Sequence, residues 1–162
     1  NCKFSPEQFD LQELLYEVGE LVRPMATDLN VTLRFQEKMK PCLEVLADKQ
    51  RLRQVFLNLA SNGIKYNRDH GTLGIYCERL SEDRVRIIFE NTGEGIPDSK
   101  LKRLFQPFDR LDAERDQLKV EGTGLGLAIS KKLVEAMGGK IWARSTIGHK
   151  TKFFVELCCS DG

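Results

Sequence analysis

Apolar residues fall at helical spacing between positions 10 and 29, where Leu11, Leu14, Leu15, Val18, Leu21 and Val22 share one side. Asn30 closes that helix, and the alternation of Val31, Leu33 and Phe35 then predicts a strand. A second strand is expected through Cys42 to Leu46. Asp48 is placed to cap a long helix whose stripe holds Leu52, Val55, Phe56, Leu59 and Gly63 and which ends near Asn67. Leu73 to Arg79 and Arg84 to Glu90 read as strands of an antiparallel hairpin around Ser81-Glu82-Asp83. A short helix is expected around Leu101 to Phe105. Residues 124 to 137 form another, by the spacing of Leu125, Ile129, Leu133, Val134 and Met137, and Gly138-Gly139 stops it. Two strands, Lys140 to Ser145 and Lys152 to Leu157, close the chain around Gly148. This order predicts an α+β fold, a two-layer sandwich of a mixed β-sheet with helices packed on one face.

Composition narrows the picture without naming a chemistry. The chain has 162 residues, 41% hydrophobic and 30% charged, which suits a single domain over residues 1–162 with one core. Charges of 25 Lys and Arg against 24 Asp and Glu give a net +1, so no global field draws in nucleic acid or an anionic membrane. The longest apolar runs are far shorter than the roughly 20 residues that span a bilayer, and no signal peptide is read. Cys2, Cys42, Cys77, Cys158 and Cys159 form no C-x-x-C pair, so they read as reduced thiols of a cytoplasmic protein, each expected to behave as a small buried hydrophobe. Asp109 to Glu121 is charged and poor in core residues, which makes 109–121 a candidate mobile lid.

Three polar or glycine-rich segments carry candidate chemistry. Asn58, Asn62 and Lys65 stand at i, i+4 and i+7 of the long helix and share one face. Amide oxygens can ligate a hard cation such as Mg²⁺ and a lysine beside them can meet phosphate oxygens, although the same pattern is also that of any solvated helix face. Asn91-Thr92-Gly93-Glu94-Gly95-Ile96-Pro97 follows a strand directly, where small residues let a ligand approach the backbone or simply make a turn. Gly122-Thr123-Gly124-Leu125-Gly126-Leu127 opens a helix, where free N–H groups can hold phosphate or the glycines can merely loosen the entry. Neither glycine segment has the G-x-G-x-x-G or G-x-x-x-x-G-K-[ST] spacing.

Taken in order along the chain, these segments resemble the catalytic, ATP-binding domain of sensor histidine kinases, within the superfamily that also includes gyrase, a heat-shock chaperone and mismatch-repair ATPases. Residues 58 to 67 are similar to its asparagine box, Asn91 to Pro97 to its first glycine box, Leu104-Phe105-Gln106-Pro107-Phe108 to its phenylalanine box, and Gly122 to Leu127 to its second glycine box. Gly148-His149-Lys150-Thr151 stands where a third, weaker motif is expected. The resemblance implies ATP and Mg²⁺ as cofactors, with Asn62 as principal metal ligand and Asn58 supporting metal and phosphates. It implies that Lys65 and Tyr66 line the nucleotide and that Arg110 reaches the terminal phosphate from the lid. Asn91, Gly93, Gly95 and Ile96 would border the nucleotide. Gly122, Thr123, Gly124, Leu125 and Gly126 would close over its phosphates, and Thr151 would supply a hydroxyl near the adenine. Asn58, Lys65 and Arg110 are the implied catalytic set. Phe105 and Phe108 would anchor the lid or pack in the core.

Asn58 stands where the hydrolytic branches carry a water-activating glutamate, which favours phosphoryl transfer over hydrolysis. Two positions depart from the family pattern. Asn91 replaces an aspartate that accepts from the adenine amine, an exchange expected to cost on the order of 1 kcal/mol. Lys150 replaces a glycine often found in the third motif. His70 and His149 are not in the pattern of a phosphoacceptor. The implied partners are therefore a histidine-bearing dimerisation domain of the same parent protein and a response regulator downstream, with no nucleic acid and no membrane contact by this domain. A degenerate nucleotide-binding or regulatory module is the alternative reading, and an ATPase the third.

Overall fold

A computed structural model describes residues 5–93, 95, 98–101, 103–106, 123–146 and 148–158, with the side chains of Asp98 and residues 123–126 excepted. The elements run β1 (Glu7–Asp10), α1 (Leu11–Asp28), β2 (Thr32–Phe35), β3 (Glu44–Ala47), α2 (Lys49–Lys65), β4 (Thr72–Ser81) and β5 (Arg84–Thr92). They continue with α3 (Asp98–Leu101), α4 (Thr123–Ala136), β6 (Lys140–Thr146) and β7 (Lys150–Cys158).

Five strands form one mixed sheet in the order β2-β4-β5-β7-β6, parallel between β2 and β4 and antiparallel elsewhere. Helices α1, α2 and α4 cover one face. The expected α+β sandwich is thus the observed architecture. β1 and β3 pair separately as a two-stranded sheet that residues 7–10 do not announce, because EQFD alternates too briefly and pairs through its backbone.

The helix starts follow local chemistry. Asp10 caps α1 by accepting from the Gln12 N–H at 2.9 Å, and Asp48 caps α2 by accepting from the Arg51 N–H at 3.1 Å. Asn30 takes a left-handed φ of 57° just after α1. Leu11, Leu14, Leu15, Val18 and Val22 are buried on α1, but Leu21 is 56% exposed, since it stands at the margin of that arc. On α4 the buried residues are Leu127, Ala128, Ser130 and Val134, while Ile129 is exposed. Of the expected stripe, Val134 is buried and Leu133 and Met137 pack partly buried against the core, and Ile129 alone of its described side chains is exposed, because Ser130 takes the buried side there.

Core side chains of the sheet come from alternate positions: Leu73, Ile75 and Cys77 on β4, Val85, Ile87 and Phe89 on β5, and Phe153, Val155 and Leu157 on β7. Phe56 of α2 meets Phe89 with ring centroids 5.7 Å apart. Phe105 packs edge-on against Phe153 at 6.2 Å, so of its two readings the core one describes its contact. Cys77 is a buried thiol pushed up to about 12 by burial, with Asp10 and Glu78 adding to the shift. Cys42 and Cys158 are exposed free thiols, contrary to the expectation of buried ones.

Candidate functional site

The end of the sheet where β5 and β7 meet the C-terminal half of α2 gathers most of the singled-out residues. Asn91 pairs in register with Thr151, Thr151 with Ser145, and Asn91 on its other side with Leu73. Because side chains alternate along strands, these four form one row on the helix-covered face. Asn91 is 6% exposed and Thr151 3%. Ser145 and Thr151 share a hydrogen bond of 2.8 Å between their hydroxyls. The Asn91 Nδ2 donates to the Thr92 carbonyl at 3.3 Å, while its buried Oδ1 has no hydrogen-bond partner among the described residues. An amide oxygen stripped of water and left unpaired costs about 1–3 kcal/mol, so it marks a place where an incoming donor is rewarded.

Glycine brings α2 down onto this row. A Cβ at Gly63 would stand 2.8 Å from Leu73 Cδ1 and 3.5 Å from Asn91 Cβ, a spacing that a larger residue would force apart. Asn67, just past the helix end, fastens α2 to the sheet: its Nδ2 donates to the carbonyls of Gly63 and Thr72, and its Oδ1 accepts from the Thr92 hydroxyl at 2.6 Å. That staple escaped the sequence reading, as did Ser130 and Ser145.

Asn58 and Asn62 are half-buried on α2, and Lys65 and Tyr66 at its end are exposed, Tyr66 at 42%. The Asn58 Nδ2 donates to the fully buried Ser130 Oγ at 3.1 Å, which ties α2 to α4, the helix that begins at the second glycine segment. The Asn62 side-chain amide, one turn further on, enters no hydrogen bond among the described residues. Among those residues no group of three or more His, Cys, Asp or Glu is placed to hold a metal ion.

The first and third glycine motifs are joined. Gly93, at φ 155°, donates its N–H to the His149 carbonyl at 3.3 Å, and a Cβ there would sit 3.1 Å from the Tyr66 carbonyl. Gly95 takes a φ of 82°. Lys150, which stands where the family motif often has glycine, fits a regular strand position, paired with Thr92 and Thr146 and 3.5 Å from Glu90. His70 and His149 are both exposed in turns.

The backbone of Thr123, Gly124, Leu125 and Gly126 forms the first turn of α4. Ile96, Phe108, Arg110, Gly122 and the expected lid at 109–121 lie outside the described residues. No helix among the described residues is long and apolar enough to cross a membrane.

Residues 47–160 match the family described as histidine kinase-, DNA gyrase B-, and HSP90-like ATPase. The chain is 40% identical over 113 residues to the sensor protein kinase WalK of Staphylococcus haemolyticus, covering 69% of this chain and 18% of that protein. It thus spans about a fifth of the length of the curated relative it matches. Among solved structures it is similar to the nucleotide-free catalytic domain of histidine kinase ThkA, with a TM-score of 0.82, 32% identity and coverage of 96% of this chain and 97% of that one. A further structure of ThkA, in complex with the response regulator protein TrrA, matches at 29% identity and a TM-score of 0.77, covering 96% of this chain and 42% of that one. Full-length ShkA in complex with AMPPNP matches at 29% identity and a TM-score of 0.83, covering 99% of this chain and 33% of that one.

Proposed function

The chain belongs to the histidine kinase-, DNA gyrase B-, and HSP90-like ATPase family, with the catalytic-domain fold of the histidine kinases, and from that premise we propose that it binds MgATP and presents the terminal phosphoryl group to a histidine. That histidine sits on a dimerisation domain of the parent protein, and a response regulator, as in the ThkA complex, takes the phosphoryl group onward. The domain works in the cytoplasm.

One observation carries the reading: the buried, unpartnered Oδ1 of Asn91, in register with Thr151. An adenine exocyclic amine supplies the donor this oxygen lacks, and the Thr151 hydroxyl stands beside it. The nucleotide complex of ShkA supports the same ligand class. Asn62 offers an amide oxygen of the hard type Mg²⁺ takes, and the ion is suited to a site with one or two protein oxygens because it retains waters and phosphate ligands. Bound there, Mg²⁺ would neutralise charge on the phosphate oxygens. Lys65 reaches the same phosphates, Asn58 supports them, and Tyr66, Gly93, Gly95 and Ile96 border the nucleotide. The free N–H groups of Thr123 to Gly126, in the first turn of α4, suit the phosphates, and by the resemblance Gly122 would join them and Arg110 would serve the terminal one.

Transfer breaks the bond between the terminal phosphorus and its bridging oxygen and forms one to the histidine nitrogen. It asks for position and charge compensation more than for a base. Asn58 has no basic atom with which to activate water, and its amide is already turned to Ser130. Hydrolysis is thereby disfavoured, and the isolated chain has little turnover. Mixing the chain with a separately made histidine-bearing dimerisation domain and terminally labelled ATP tests this. Labelled phosphohistidine is expected, and steady phosphate release without it overturns the proposal.

A further inference from the structure

A cavity of about 470 Å³ lies at the β6–β7 end of the sheet, within the size range of small-molecule sites. Arg144, Lys150 and Lys152 contribute three cations to its lining. Lys150 and Lys152 share Glu90, each at 3.5 Å, so three positive charges less one negative leave two in excess, against +1 for the entire chain. Arg144 makes no ion pair among the described residues. Its planar fork suits the oxygens of a phosphate.

Phe154 and Leu101 add apolar lining; the Phe154 ring stacks on Trp142, with centroids 5.1 Å apart and planes 13° apart, and the Arg86 guanidinium lies 5.9 Å from its centroid. Arg144, Lys150, Lys152 and Phe154 stand on the sheet face opposite to Asn91 and Thr151. Of the strand residues lining the cavity, Ser145 alone belongs to the helix-covered face, where its hydroxyl meets Thr151. The two sites are neighbours that meet at Ser145 and otherwise use separate residues.

We propose that this cavity is a second ligand site, for a small organic phosphate dianion bearing a planar apolar body. The charge excess matches a phosphate monoester, which carries about −1.5 to −2 at neutral pH, and the stacked ring receives the body.

The test is a titration of the isotope-labelled chain with phenyl phosphate, inorganic phosphate and phenol, followed by amide NMR shifts. Phenyl phosphate is expected to shift residues 144–146 and 150–154 along a saturating curve, inorganic phosphate to bind more weakly, and phenol not to bind. Arg144→Glu and Lys152→Glu, both at exposed or half-exposed positions, are each expected to weaken phenyl phosphate by about tenfold or more, as loss of a charged contact does. Asn62→Ala is expected to leave it unchanged. Shifts confined to Asn58, Asn62 and Asn91, non-saturating shifts, affinity in both charge-reversed variants equal to that of the parent chain, or phosphate binding as tightly as phenyl phosphate would each overturn the assignment.

Discussion

On β5, Val85, Ile87, Phe89 and Asn91 face the helices and are buried, while Arg84, Arg86, Ile88 and Glu90 alternate with them on the opposite face and stay partly exposed. β7 repeats the pattern, with Thr151, Phe153, Val155 and Leu157 inward and Lys152, Phe154 and Glu156 outward. The outward charges answer one another: Arg86 lies 2.8 Å from Glu156 and 3.4 Å from Glu78, and its guanidinium also covers the Trp142 ring at 5.6 Å. The inward face has few polar atoms: the Thr151 and Ser145 hydroxyls answer each other, while the Asn91 Oδ1 is left without a partner among the described residues. An unanswered atom in a dry place points to a ligand more sharply than a well-paired charge in a wet one.

Five substitutions test that contrast. Phe89→Ala opens a cavity against Phe56 and is expected to cost about 3–5 kcal/mol in chemical denaturation, whereas the outward Phe154→Ala should cost clearly less. Equal losses would mean the two faces are not differently packed. Asn91→Leu should separate function from stability. Removing the orphaned amide oxygen leaves the melting temperature unchanged or higher, while ATP affinity falls by about tenfold or more.

Cys77 gives a pH signature to the inner face. Its thiol ionises at a higher pH in the folded chain than its ordinary 9.0, so the unfolded chain loses the proton first as pH rises. Stability from this group is therefore intact below pH 9 and declines from there towards 12. Thermal melts of the parent chain should fall more steeply over that range than those of Cys77→Val, and parallel curves would remove the effect. The smallest change is expected on the outer face, where Glu156→Gln loosens Arg84 and Arg86 but should shift stability by about 1 kcal/mol or less.

Much of this was readable from spacing. The hairpin of β4 and β5 and the shared face of Asn58, Asn62 and Lys65 follow from periods of two and 3.6 residues, and the Asp48 cap from its place before an apolar stripe. What spacing cannot give is which strands become neighbours. Asn91 and Thr151 are 60 positions apart, and only the β5–β7 register sets them side by side and brings in Ser145. Ser130 was hidden for a related reason: a polar residue within a buried stripe looks like a break in the pattern until its partner, Asn58, is known. The Asn67 staple needs the positions of β4 and β5 before its side-chain bonds make sense.

In the proposed function, α2 and the Asn91–Thr151 row together hold a metal-bound triphosphate. Calorimetric titration of the chain with ATP and Mg²⁺ measures this directly. Saturable binding is predicted, weakened by about tenfold or more in Asn62→Ala and on removal of Mg²⁺. Absence of binding heat, or the same affinity in Asn62→Ala as in the parent chain, would contradict it.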